Sequence, residues 1–143
     1  MNDKAGLILE LTQRLNSQRL AVLSTHNAGQ PYASLVSFAA TPDLMQLLFA
    51  TTRSTRKYAN LTSDSRAAML VDNRSNEEAD IHSAMAVTAT GVVGEISEAE
   101  KDEALILYLG KHPYLKDFVN SPSCAFLKLA VKTYFLVRRF QNV

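Results

Sequence analysis

The order of the apolar runs limits most strongly what this chain can fold into. "RLAVLST", "YASLVSFAAT", "LMQLLFAT", "SRAAMLVDN", "AMAVTATGVVGEI" and "CAFLKLAVKTYFLVRRF" each read as a strand, and no helix follows every strand in turn. Without a βαβ rhythm a parallel doubly wound sheet is excluded, and the pattern predicts a mainly β fold with helical decorations, an antiparallel barrel.

Turn chemistry in "HNAGQP" makes residues 19–40 a hairpin, and Pro42 with Asp43 marks the next turn. Leu7, Ile8, Leu11 and Leu15 recur at helical spacing, so residues 5–16 form an amphipathic opening helix. Arg56 to Leu61 reads as a short helix, and the polar residues 73–83 as an exposed loop. Gly91 and Gly94 predict a bend or bulge in their strand. In "SEAEKDEALILYLGK", Ser97 and Glu100 have capping-box spacing and Gly110 ends the helix. "HPYLKDFVNSP" is a helical or irregular connector before the last strand.

With 143 residues and 47% hydrophobic content, the chain can bury one core, and we expect one domain over residues 1–143. A net charge of +1 calls for no nucleic acid and no anionic membrane. "MNDKAGLILELTQRLNSQR" has neither a signal-peptide core nor a membrane-length apolar span, which reads as a soluble, cytoplasmic protein. Cys124 is the sole cysteine, so no internal disulfide forms, and its setting in "CAFLKLAV" is that of a small buried apolar side chain.

The chemistry concentrates in "FATTRSTRKYANL", Phe49 to Leu61. Thr51, Thr52, Arg53, Ser54, Thr55, Arg56 and Lys57 follow one another without an acid, where a strand hands over to a helix. A helix start carries unpaired N–H groups and partial positive charge. Capped by Ser54 or Thr55 and flanked by Arg56 and Lys57, it is suited to a phosphate. The same residues also describe an ordinary capped and solvated helix start, and no Gly-rich cradle is present.

Elsewhere the signals are weaker. His26 falls in a turn and His82 in a polar loop, which makes both surface histidines; His112, beside Pro113 and Tyr114, stays a candidate. The three show no metal-ligand spacing, and we expect no metal. Glu95, Glu98, Glu100 and Glu103 complement a helix dipole. Ser24, Ser34 and Ser37 have no identifiable His/Asp partners for a hydrolase triad.

Three pieces, "LAVLSTHNAGQPYASLVSFA", "LLFATTRSTRKYANLTSDSRAAMLV" and "VTATGVVGEIS", carry a resemblance. Over about residues 8–140 the sequence resembles the pyridoxamine 5′-phosphate oxidase-like family, which forms an FMN-binding split β-barrel. The resemblance implies that Thr55, Arg56 and Lys57 bind the FMN phosphate. It implies flavin contacts from Phe49, Ala50 and Thr51 at one strand end, and from the strand Ser34, Leu35, Val36 and Ser37. It further implies a homodimer with the cofactor at the interface, and an oxidoreductase acting on a small molecule the sequence does not name. Alternatives on the same fold are a non-enzymatic flavin or haem carrier or sensor, with His112 or His26 to test as iron ligand, a reductase using the deazaflavin F420, and an interaction module without cofactor.

The sequence also departs from the pyridoxamine 5′-phosphate oxidases proper. Ser34 stands where they have arginine, Ala86 where they often use glutamine, and the chain has no Trp and reads "VRRFQNV" where they have a Trp and an Arg-Leu motif. These departures speak against vitamin B6 oxidation. Tyr114, Tyr134 and Phe135 are aromatics able to stack on a flavin, with core or interface packing as their ordinary duty. Arg138 and Arg139 are either anion contacts or a solvated strand end.

Overall fold

A computed structural model describes residues 3–138 and contains helix α1 (Asp3–Ser17), then strands β1 (Leu20–Asn27), β2 (Gln30–Ala40) and β3 (Gln46–Thr52). Helix α2 (Arg56–Ser63), strand β4 (Arg66–Asp72), the four-residue helix α3 (Asp80–Ser83) and strand β5 (Met85–Glu95) follow. Helix α4 (Glu98–Lys111), a 3₁₀ turn (Pro113–Leu115), helix α5 (Lys116–Asn120) and strand β6 (Cys124–Arg138) complete the order. The strands close into an antiparallel barrel in the order β1-β2-β3-β6-β5-β4, with β4 pairing back onto β1. The expected fold class is therefore the observed one.

The β1–β2 hairpin turns on two residues, Ala28 and Gly29, both at positive φ (49° and 85°), the twist that two-residue hairpins favour. Gly29 adopts this conformation freely, whereas Ala28 carries a Cβ into it. The Phe38 N–H reaches the Arg19 carbonyl on the β1 side, so by strand alternation Pro31 turns its missing N–H to the opposite, open edge and forfeits no ladder bond.

The barrel interior is filled by Leu23, Phe38, Leu47, Phe49, Met69 and Leu129, among others. Fully burying each such side chain contributes about 1.5–3 kcal/mol. A second cluster, with Ala39, Leu48, Ala50, Ala104, Tyr108, Val119 and Phe126, sits on the outer face of β2, β3 and β6 under α4 and α5. Covered on both faces, β3 reads as an unbroken apolar run instead of alternating.

The bulge expected near Gly91 is present. Thr90 lies opposite Thr133 and Gly91 opposite Val131, so β6 carries one extra residue, Lys132. A Cβ at Gly91 would lie 1.9 Å from the Ala130 carbonyl oxygen, so only glycine fits.

Several local expectations need correction. Gly110 lies inside α4, which ends at Lys111 with His112 as C-cap, because the Lys111 and His112 side chains are held by other elements. Ser97 caps α4 by position, but its hydroxyl bonds the Glu100 carboxylate at 2.9 Å instead of a backbone N–H. Residues 73–83 contain α3, steadied by Asp80, which accepts from the Ser75 and Asn76 N–H groups. In α1 only the C-terminal turn docks fully: Leu15 is buried while Leu7 and Ile8 remain exposed.

Candidate functional site

β2 and β3 pair over only three positions, Phe38 with Phe49, Ala39 with Leu48 and Ala40 with Leu47. Before Phe38, β2 stays with β1 alone; beyond Phe49, β3 stays with β6. The two strands thus part, and a cavity of about 230 Å³ opens between them. Strand alternation, fixed by the Phe38 N–H reaching the β1 side, turns the N–H groups of Leu35 and Ser37 toward this split. Leu35, Val36 and Ser37 form one lip and Ala50, Thr51 and Thr52 the other; Tyr108, Leu115 and Phe118 close the outer wall.

One end of the cavity meets the start of α2. Thr55 is the N-cap, extended at φ −81° and ψ 156°, and its hydroxyl oxygen accepts the Tyr58 N–H at 3.3 Å. Each hydroxyl has one hydrogen, which orders the network: the Thr55 O–H donates to the Thr52 carbonyl at 2.9 Å, so Thr51 donates to Thr55 at 3.0 Å. The first turn of α2 contains no acid. The backbone N–H groups of Arg56 and Lys57 have no partner among the described residues. The helix is locked down elsewhere: Asn60, buried, donates to Thr25 at 3.0 Å, and Leu61 enters the barrel core.

The three nearby cations differ in employment. Arg53 is occupied by Glu95 and by the Tyr58 hydroxyl at 2.7 Å, and this contact holds the Glu95 carboxyl below its ordinary pKa. Arg56 lies with its guanidinium 5.8 Å from the centre of the Tyr32 ring. Lys57 lines the cavity and has no ion-pair or hydrogen-bond partner among the described residues.

Of the residues singled out in the sequence, the fold gathers Leu35, Val36, Ser37, Ala50, Thr51, Thr55 and Lys57 around one cavity. Ser34, Phe49 and Arg56 do not line it. Ser34 is half-buried, its hydroxyl without a partner among the described residues, and Phe49 is fully buried in the barrel. Ala86 lines a different cavity, of about 370 Å³, with Leu70, Met85 and Val137.

The remaining candidates are engaged elsewhere. His112 is fully buried, its Nε2 2.8 Å from the Phe38 carbonyl and its Nδ1 3.4 Å from the Tyr114 hydroxyl; burial pushes its pKa down. His26 sits 3.1 Å from the Asp64 carboxylate and accepts from the Gly29 N–H. Tyr134 donates to the Leu44 carbonyl at 2.7 Å, and burial pushes its pKa up to about 12. Tyr114 and Phe135 are exposed. Arg138 pairs with Glu10, at 3.0 Å through its Nε, while Arg139 lies outside the described residues. Cys124 is buried, which raises its thiol pKa. Among the described residues no cluster has the composition of a metal site.

Sequence reading missed Tyr108 and Phe118 as the aromatics of this cavity. The sequence carried one signal for Tyr108, its spacing four residues after Ala104 on one helix face, and the structure buries both.

Comparison with known proteins gives the family and the fold. Residues 8–138 match the sequence profile of a family described as pyridoxamine 5′-phosphate oxidase. No curated protein matches the chain. Among solved structures, a heme binding protein from Mycobacterium smegmatis superposes with a TM-score of 0.78 at 19% identity, over 91% of this chain and 53% of that one. The chain therefore spans about half the length of that relative, and 56% of another from Agrobacterium tumefaciens. The heme storage protein HutZ from Vibrio cholerae gives 0.76 at 13% identity, over 91% and 92% of the two chains. A FAD-binding protein from Mesorhizobium loti gives 0.68 at 21%, over 90% of each. At these identities the likeness is one of fold.

Proposed function

The chain belongs to the pyridoxamine 5′-phosphate oxidase family, and from that premise we propose that it binds FMN in the cleft between β2 and β3 and works as a flavin-dependent oxidoreductase on a small molecule. One observation carries the reading. The acid-free start of α2, where the Arg56 and Lys57 N–H groups lack partners among the described residues, meets through Thr55 and Lys57 the same cavity as the unpaired edge of β2. The donor set fits a phosphate monoester at one end and a polar ring edge at the other.

In this reading Thr55 shapes the phosphate site through its cap, the Arg56 and Lys57 N–H groups donate to the phosphate, and the Lys57 ammonium and Arg56 guanidinium neutralise it. The N–H groups of Leu35 and Ser37 meet the ring edge, and Leu115 and Phe118 shield it from water. FMN, when bound, supplies hydride acceptance and delivery. The protein positions the ring and excludes water.

The cavity of one chain, about 230 Å³, is below the usual range of roughly 300–1,000 Å³ for a cofactor pocket. A second copy would complete it, as in the homodimer with the cofactor at the interface that the resemblance implies. A homodimer with two shared sites follows as part of the proposal.

Haem is the second reading, raised by the two heme-binding relatives. Both ring nitrogens of His112 and of His26 are already engaged, which argues against either as an iron ligand. The test is the visible spectrum of the purified protein followed by titration with FMN. Flavin bands, or quenching of FMN fluorescence at about micromolar concentration, are expected. A Soret band would favour haem, and a colourless protein indifferent to FMN would end the flavin reading.

A further inference from the structure

We infer that the last turn of α4 is a positioning element for the cleft: Tyr108 and His112 hold β2 where it leaves β3 and so set the width of the opening. The inference deepens the proposed FMN site and rests on that reading for its functional half.

Tyr108 and His112 are four residues apart and project from one helix face. The Tyr108 hydroxyl donates to the Ser37 carbonyl at 3.3 Å, and His112 Nε2 lies 2.8 Å from the Phe38 carbonyl. A carbonyl only accepts, so Nε2 carries the proton and Nδ1 accepts from the Tyr114 hydroxyl. Phe38 is the last β2 residue opposite β3, and Ser37 is the first beyond the parting. Consecutive carbonyls of a strand point to opposite edges, so the helix turn straddles β2 with one bond on each side. Two such bonds fix both the position of the strand and its rotation about its own axis.

Lys111 adds a third anchor between them. Its ammonium donates to the Leu15 carbonyl at 2.9 Å and sits 3.9 Å from the centre of the Phe38 ring. Tyr108 and His112 are both essentially inaccessible, their rings 5.1 Å apart, so neither side chain can swing away. Tyr108 also lines the cleft itself. The grip and the cofactor wall are therefore one piece.

The experiment combines amide hydrogen exchange with FMN titration on the full chain. Tyr108→Phe keeps the ring and removes the donor; His112→Ala removes the second donor, and His112→Gln restores an N–H at the same reach. Amides of Val36 and Phe38, whose N–H groups face β1, are expected to exchange about tenfold faster in Tyr108→Phe and His112→Ala, while residues 47–49 stay protected. FMN affinity is expected to fall about fivefold to tenfold in both, the size of one lost hydrogen bond, and to return toward wild type in His112→Gln. Unchanged exchange at Val36 and Phe38, or a rise spread evenly over the barrel, would overturn the inference. So would faster local exchange with unaltered FMN affinity in a wild type that binds FMN. A wild type that ignores FMN defeats the proposed site, and the exchange pattern then still decides whether α4 holds the strand. Should His112→Ala not fold, Tyr108→Phe alone carries both readouts.

Discussion

Two helices in this chain begin with a hydroxyl residue at the end of a strand, and they treat their positive ends in opposite ways. α4 starts with Glu98 and Glu100, and the Glu100 carboxylate is further bound by Ser97 and by Lys128 at 2.8 Å. It supplies its own negative charge and its own counter-ion. α2 starts with Arg56 and Lys57 and no acid, under a Thr55 cap. Cations at a helix N-terminus oppose the dipole, at a cost of about 0.3–1 kcal/mol each. The difference teaches how the proposed site would work: α4 supplies its own anion, whereas in the proposal the FMN phosphate takes that place at α2.

The largest effect is expected from making α2 resemble α4. Lys57→Glu should weaken FMN binding about 100-fold or more, by exchanging a charge-assisted contact for repulsion, while thermal stability holds or rises slightly. FMN fluorescence titration beside a melting curve measures both, and equal affinity would remove the distinction drawn between the helices. Arg56→Ala and Lys57→Ala should each weaken FMN about tenfold or somewhat more, the low end of the range of about 1.5–3 kcal/mol for a hydrogen bond to a charged group. The Lys57 effect should be the larger, because Lys57 lines the cleft and Arg56 rests on Tyr32.

Thr55→Val should cost about 1 kcal/mol in urea unfolding, the usual worth of a cap, and lower FMN affinity at the same time. A loss of stability with intact affinity would separate the cap from the site. On the α4 side, Lys128 first and Ser97 second hold the Glu100 carboxyl below its ordinary value of 4.5. A depressed folded pKa means stability that is present above the unfolded value and lost as pH falls through the folded one. Melting temperature should therefore decline below about pH 4.5 in wild type and decline less in Lys128→Met. The smallest effect is expected from Ser97→Ala, a few tenths of a kcal/mol with no change in FMN binding, because the Ser97 hydroxyl caps no backbone N–H.

What could be read in advance followed from local chemistry. The strands declared themselves as apolar runs, the cap as Ser54 or Thr55, of which the structure takes Thr55, and the bulge as a bend or bulge at Gly91 or Gly94, of which it takes a bulge at Gly91. The fate of His112 could not be read that way, since its partner is the carbonyl of Phe38, 74 positions earlier, and no local pattern encodes that contact. Arg56 reads as a free cation until Tyr32 is brought beside it by the hairpin. Ser97 and Glu100 have the right spacing for a capping box, but Lys128, 28 residues on, helps settle where that carboxylate goes. The cavity wall was half legible: both strand lips belong to continuous stretches, while Tyr108, Leu115 and Phe118 arrive from a later part of the chain.

The extra residue in β6 reverses the parity of that strand. Up to Val131 the side chains turned to the barrel core carry odd numbers, Ala125, Leu127, Leu129 and Val131; past Lys132 the core is met by Tyr134. Lys132 thus works as a spacer, whose presence matters more than its chemistry. Replacing it should be nearly silent, whereas deleting it would carry Phe135 inward, turn Tyr134 to solvent, and break the hydroxyl bond to Leu44. A relative without the extra residue, if aligned through this point without a gap, would have inward residues matched against outward ones from there to Arg138.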